Sequence, residues 1–268
     1  MGITSSTLRT RRLAFAARSV GEGDLVLFLH GITAGAVVWD PVMAELGRHF
    51  RCVAVDQRGH GHSEKPLTGY RAEDYVADVA AILDELGPAR AVVGHSLGAR
   101  NAILAGAAMP ERVGAVVAVD YAAGIEPEVF EQLRAARAGG DGVLADLDDA
   151  RRAVRSRSPL LPEAAVERRV QHLFSIADGA CSPLAAPSAV DQTVEAMDVD
   201  LTGPLRESRM PVLVVRGAQS PFLSPVAYRL TLGLRHGIEG AVVPGTDHFV
   251  PEKTPHDLAA LVRVFLAR

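Results

Sequence analysis

Ala91-Val-Val-Gly94-His95-Ser96-Leu97-Gly98 decides the fold of this chain, because an apolar run leads into G-x-S-x-G and a small-residue helical stretch follows it. The order reads as strand, sharp turn and helix, with the two glycines letting the turn close and the Ser96 hydroxyl standing above the sheet edge. Ser96 is therefore the candidate nucleophile. G-x-S-x-G also arises by chance, so a base, an orienting acid and oxyanion donors must be found elsewhere in the chain.

Ala241-Val-Val-Pro-Gly-Thr-Asp-His248 reads as a late strand running into a loop that presents one histidine ahead of a C-terminal helix. Of the nine histidines, only His248 stands in the loop directly after the last strand, where the chain order nucleophile, acid, base requires it. Asp247 is excluded as its partner, since adjacent loop side chains diverge. The acid is harder to place. The loop after Pro211-Val-Leu-Val-Val-Arg216 is Gly217-Ala-Gln-Ser-Pro-Phe-Leu-Ser224, which holds no carboxylate. Either the triad is broken or the acid stands at another strand end. Ala115-Val-Val-Ala-Val-Asp120 offers one at the C-terminal end of a strand, where catalytic groups gather in open parallel sheets. An aspartate there also caps turns and helices, but the empty downstream loop favours Asp120 as the acid.

An oxyanion hole needs backbone N–H groups aimed where negative charge develops, and one belongs to the residue after the nucleophile. That residue is Leu97. The strand Leu25-Val-Leu-Phe-Leu29 ends in His30-Gly31-Ile32, which makes Ile32 the second donor. Trp39, just beyond, is placed among the substrate-binding residues, the alternative being packing against the sheet.

Strands expected near 25–30, 51–55, 90–94, 115–120, 211–216 and 240–243 alternate with helices near 36–47, 73–86, 97–108, 223–235 and 254–267. One or two antiparallel strands precede them. The near-continuous Val, Leu and Ala of these strands implies an α/β class with a parallel sheet buried on both faces. Residues 1–120 and 211–268 form the core in this reading. The alternation stops over 121–210, which reads as several short helices, a helical cap over Ser96 that selects substrates and limits water. Leu144, Leu147, Leu160, Leu161, Val166, Val170 and Leu173 supply its apolar positions. Its arginines (Arg151, Arg152, Arg155, Arg157, Arg168 and Arg169) are mostly solvated faces, and one or two turned inward would receive carboxylates.

The 268 residues, 48% hydrophobic with a net charge of −4, suit one α/β domain with an insertion and argue against a nucleic-acid partner. Two distant cysteines make no disulfide framework, and no run suggests a secretion signal or a membrane span. A cytoplasmic enzyme acting on a small anionic molecule is expected, with no membrane partner; a homodimer is left open. In Asp56-Gln-Arg58-Gly-His60-Gly-His62, a metal site is disfavoured because no ligand set accompanies the histidines. The G-x-G-x-x-G spacing is absent there, and Asp56 and Arg58 are read as holding the loop.

Together, His30-Gly31, Asp56-Gln-Arg-Gly-His-Gly-His-Ser63, Gly94-His-Ser-Leu-Gly98 and Gly245-Thr-Asp-His248 resemble the α/β-hydrolase fold superfamily over nearly the whole chain. The resemblance implies a mostly parallel eight-stranded sheet flanked by helices. More narrowly, His30-Gly-Ile-Thr33, Lys65-Pro-Leu-Thr-Gly-Tyr70 and Gly94-His-Ser-Leu-Gly-Ala-Arg-Asn101 are similar to the 2-(acetamidomethylene)succinate hydrolases, amide-cleaving enzymes of bacterial vitamin B6 breakdown. That family places its acid at the position of Asp120, uses no metal or organic cofactor, and binds a dicarboxylate partly through cap arginines. Arg157 falls at one of those arginine positions; a second falls at Ala136, beside Arg137, where this chain departs from the pattern. The implied activity is amide or ester cleavage through an acyl-enzyme. The alternatives carried are a carboxylesterase or lactonase, a cofactor-independent dioxygenase on the same fold, and a non-catalytic receptor.

Overall fold

Strands made almost wholly of Val, Leu and Ala have no face to offer water, so they demand cover on both sides. In the computed structural model, which describes residues 2–138, 144–177 and 180–268, the central strands receive it, whereas the edge strand Ile238–Val243 has only one neighbour in the sheet and leaves Val242 exposed. β1 (Thr4–Arg9) and β2 (Ala14–Val20) form an antiparallel pair at one edge. β3 (Leu25–Leu29), β4 (Arg51–Val55), β5 (Ala91–His95), β6 (Val116–Val119), β9 (Val212–Gly217) and β10 (Ile238–Val243) run parallel to one another, and the eight-stranded order is β1-β2-β4-β3-β5-β6-β9-β10. β3 lies between β4 and β5, so the chain leaves β3 in one direction and later returns on the other side. That reversal opens a crevice beyond the strand ends, where ligands of such sheets bind.

Side-chain alternation divides the core into two layers. Leu27, Leu29, Val92 and Val116 meet α2 (Ala72–Leu86) and α3 (Leu97–Ala108) on one face. Val26, Phe28, Val93 and Val117 meet α1 (Asp40–Leu46) and α11 (Pro255–Leu266) on the other. α2 shows why such helices dock: Tyr75, Val79, Ile82 and Leu83 recur on one stripe and are buried.

One expected helix is divided: residues 36–47 split into a 3-10 turn at Ala36–Trp39 and α1. The expected helix at 254–267 is α11, preceded by a short α10 (Val250–Lys253) that the sequence reading did not include. Pro41 and Pro255, which lack an N–H, each sit in the first turn of the new helix. α9 (Pro225–Leu232) falls inside its expected range.

Between β6 and β9 stand α4 (Pro127–Ala138), α5 (Leu147–Arg157), α6 (Glu163–Leu173), α7 (Pro187–Glu195) and α8 (Thr202–Glu207). The expectation of helices alone is corrected, because β7 (Phe174–Ala177) and β8 (Ala180–Pro183) pair as an antiparallel hairpin. Asp178-Gly179 between them is a hairpin signal in sequence that helical leucine spacing hides. Val154, Leu161, Val166 and Val170 are buried together, whereas Leu160 is exposed. Among the described residues no helix is long and apolar enough to cross a membrane.

Candidate active site

The elbow is built from close approach. A Cβ on Gly98 would lie 2.1 Å from the Leu29 carbonyl, and one on Gly94 would lie 2.1 Å from the Gly98 carbonyl, so glycine is required at both positions. The turn between them is strained: Ser96 has φ 52, outside the region L residues favour. Its N–H donates to the Val119 carbonyl at 2.9 Å, which fixes the turn to β6. Asp120, the next residue after Val119, shares the unusual conformation with φ 51.

Asp120 is fully buried and faces three donors. Oδ2 receives His248 Nδ1–H at 2.7 Å and the Ser220 hydroxyl; Oδ1 receives the Gly217 N–H at 2.9 Å. The carboxylate-free loop after β9 thus hydrogen-bonds to Asp120. Ser220 is a residue the sequence reading missed, and the signal available was a small hydroxyl in a loop already marked as lacking an acid. Its Oγ also accepts the N–H groups of Phe222 and Leu223 at 3.1 Å, so one hydroxyl shapes the loop and completes the carboxylate's shell. If Asp120 is the catalytic acid, Ser220→Ala removes a hydrogen bond to a charged group, worth about 1.5 kcal/mol or more. The expected result in steady-state kinetics is a fall in kcat of about tenfold with little change in KM.

Asp247 does not accept from the His248 ring, which gives its Nδ1–H to Asp120. Asp247 Oδ1 accepts the Phe249 N–H at 3.0 Å. The His248 ring lies between aromatic neighbours, with Phe222 at 4.2 Å and His95 at 4.6 Å between centroids. His95 Nε2 is 2.8 Å from the His248 carbonyl, tying the elbow strand to the loop that carries His248. Burial, and then the neighbouring His248, hold the His95 pKa well below the usual histidine value. A neutral ring donating through Nε2–H fits that contact.

A hydrogen-bonded chain fixes the loop after β3. Arg100, fully buried on α3, donates through Nε and Nη2 to Asn101 Oδ1, at 3.1 and 3.0 Å, and through Nη1 to the Ala196 carbonyl. A guanidinium has donors only, so Asn101 must turn Nδ2 toward Gln57 Oε1, at 2.7 Å. Gln57 then donates its amide to the His30 carbonyl at 2.7 Å, while its backbone N–H donates to His30 Nε2 at 2.9 Å. His30 is left with its proton on Nδ1, directed at the Gly31 carbonyl 2.7 Å away. That carbonyl and the Ile32 N–H belong to one trans peptide, so anchoring the first outward points the second the opposite way. Among the described residues, neither the Ile32 nor the Leu97 N–H has a protein acceptor. Gln57, Asn101 and Arg100 were not singled out from sequence, because their roles depend on contacts made across the sheet.

His30 and His60 are buried side by side, with ring centroids 5.1 Å apart. Burial lowers the pKa of His30 to about 4 and that of His60 to about 3. Unfolding would return both toward the ordinary value near 6.5. Below that pH the unfolded chain binds more protons than the folded one, so stability is full above 6.5 and declines as pH falls toward 4. Urea denaturation between pH 7 and 4.5 is expected to show a loss of about 1 kcal/mol per pH unit for each histidine. Asp56 accepts from the Ala36 and His62 N–H groups at 2.6 and 2.9 Å, and Arg58 makes a two-bond pair with Asp78 at 2.6 Å. These contacts hold the loop that follows β4.

Ser96, His248 and Ile32 line a cavity of about 320 Å³ roofed by the insert, with Arg157 on its wall. Trp39 is corrected: it is wholly buried, 5.2 Å from Phe28 between ring centroids, and packs in the layer against α1 and α11 rather than lining the cavity. The short 3-10 turn rotates it onto the sheet. Arg169 lines the cavity and was only one of several arginines in the sequence reading. It pairs with buried Glu252 through Nε at 2.9 Å and Nη2 at 2.5 Å, and its guanidinium lies 5.1 Å from the Phe249 ring centroid. Ala136 and Arg137 also line the cavity, and Arg137 engages Asp191. A serine on a strained elbow, an imidazole held by a buried carboxylate and two N–H groups without protein acceptors are the parts acyl transfer requires.

Residues 24–255 match the model of the alpha/beta hydrolase fold. The 2-(acetamidomethylene)succinate hydrolase of Mesorhizobium japonicum is 40% identical over 245 residues, or 91% of this chain and 88% of that protein. A crystal structure of E-2-(acetamidomethylene)succinate hydrolase superposes with a TM-score of 0.95 at 37% identity, covering 100% of both chains. The enol-lactonase of Burkholderia xenovorans shares the fold, with a TM-score of 0.79 at 22% identity over 98% of this chain and 100% of that one.

Proposed function

The chain belongs to the α/β-hydrolase fold family, and from that premise we propose that it is a serine hydrolase cleaving an amide or ester bond of a small, carboxylate-bearing substrate through an acyl-enzyme. The observation that carries this reading is the 2.7 Å contact of His248 Nδ1 with buried Asp120, beside a serine on a φ 52 elbow in the same cavity.

Asp120 keeps the His248 proton on Nδ1, so Nε2 is the basic nitrogen. Nε2 takes the Ser96 proton as Oγ bonds to the substrate carbonyl carbon. The carbonyl oxygen gathers negative charge, and the N–H groups of Ile32 and Leu97 receive it. Collapse breaks the bond to the leaving group, which departs with the proton from Nε2. Water then repeats the sequence: Nε2 removes its proton, oxygen attacks the acyl carbon, and Ser96 leaves as the alcohol. Every proton passes through one imidazole, and the buried Asp120 stabilises its charged form at each step. Arg157, Arg169 and the Ser158 and Thr33 side chains supply donors for a carboxylate on the substrate. The relative's substrate, by its name, is a succinate derivative, in keeping with an anionic ligand.

Partitioning with hydroxylamine tests the covalent intermediate. Esters sharing one acyl group but differing in leaving group are expected to give the same ratio of hydroxamate to acid, since all pass through one acyl-enzyme. A ratio that varies with the leaving group would sink the proposal.

A further inference from the structure

The cavity over Ser96 has two walls of opposite character. α4 and α7 pack on one another and present Val129, Phe130, Leu133, Val190 and Val194 to it. α5 and α6 form the other packed pair and present Arg157, Arg169 and, just after α5, Ser158. Those three, with Thr33, also line a small adjoining chamber of about 40 Å³. Among the described residues no aspartate or glutamate lines either space.

The charged groups keep this division. Glu252 holds Arg169 through Nε and Nη2 on the side of α10, which leaves Nη1 without a protein acceptor among the described residues. On the apolar wall the charged residue, Arg137, turns Nε and Nη2 onto Asp191. Donors suited to a carboxylate thus concentrate at one end, and hydrocarbon concentrates at the other. A carboxylate pressed against Val129, Phe130, Leu133, Val190 and Val194 would lose its hydration to side chains that return no hydrogen bond.

Resting on the serine-hydrolase reading, we infer that the substrate is a monocarboxylate whose apolar group lies across the scissile bond from its carboxylate. The carboxylate meets Arg157, Arg169 and Ser158. The scissile carbonyl sits over Ser96 between the walls, and an alkyl or aryl group fills the space beneath α4 and α7. Hydrolysis of such a molecule consumes only water and follows the acyl transfer already described.

Calorimetric titration of the intact protein with butanoate, hexanoate, octanoate and adipate tests this, because none of the four has a bond to cleave. Affinity is expected to rise about fourfold per methylene group along the monocarboxylates. Hexanoate is expected to bind at least tenfold more tightly than adipate, its dicarboxylate of equal length. Affinities that do not change with length, adipate binding as well as hexanoate, or no binding by any of the acids would overturn the inference. Ala136→Arg adds a cation to the apolar wall at an exposed helix position and is expected to narrow the hexanoate-to-adipate ratio about tenfold. An unmoved ratio would overturn the placement of the apolar end. Failure here with normal ester turnover sinks only the substrate class; the predicted binding order without Ser96-dependent turnover sinks the catalytic reading.

Discussion

Ser96→Ala is expected to lower kcat for ester and amide hydrolysis by roughly 10⁴ to 10⁶, with the folded structure unchanged. The size of the loss follows from the arrangement. Without Oγ there is no acyl-enzyme, and what remains is the oxyanion donors acting on direct attack by water. Alanine also relieves nothing in the backbone, because the φ 52 turn is imposed by Gly94, Gly98 and the bond to the Val119 carbonyl rather than by the hydroxyl. Single-turnover kinetics and thermal denaturation, run together, separate this result from simple misfolding. A variant that keeps a tenth of its activity would require another nucleophile.

Asp120→Asn is expected to cost about 10⁴ in kcat. The carboxylate accepts from His248, Ser220 and Gly217 and donates to none of them. An asparagine must present an NH₂ to one oxygen's former partners. If the amide nitrogen takes the Oδ2 position, it forces His248 to carry its proton on Nε2, the nitrogen that must accept one. If it takes the Oδ1 position, it confronts the Gly217 N–H with another donor. Either orientation disturbs the site while leaving the volume of a fully buried side chain nearly unchanged. The check is the pH profile of kcat together with nitrogen chemical shifts of the His248 ring, which report the tautomer directly. Near-normal activity with an unchanged tautomer would remove Asp120 from its assigned role.

Legibility in the sequence followed the range of the interactions. Buried strands were readable because a strand covered on both faces must be apolar along its length, and G-x-S-x-G was readable because the elbow needs glycine at both ends. The partner of His248 was legible by exclusion: a loop without a carboxylate directed attention to Asp120, and the structure places its Oδ2 against His248 Nδ1. Ser220 was not legible, since a hydroxyl meeting a residue a hundred positions earlier leaves no local pattern. The chain from Arg100 through Asn101 and Gln57 to His30 was hidden for the same reason. Trp39 misled because nearness in sequence to the His30-Gly31 loop says nothing of direction, and a 3-10 turn sends the indole onto the sheet. In the insert, leucine spacing suggested helices throughout and masked the hairpin of β7 and β8. Which arginines face the cavity depended on how α5 and α6 rotate as they pack, which helical periodicity alone does not set.

Hydrolysis by this route requires Ser96 to be a nucleophile that the imidazole and carboxylate activate together. Mass spectrometry of the intact protein after exposure to a fluorophosphonate, with peptide mapping, tests that directly. One adduct is predicted, on Ser96, forming at least a hundredfold more slowly in Asp120→Asn than in the unaltered protein. An adduct elsewhere, none at all, or equal rates in the two proteins would contradict it.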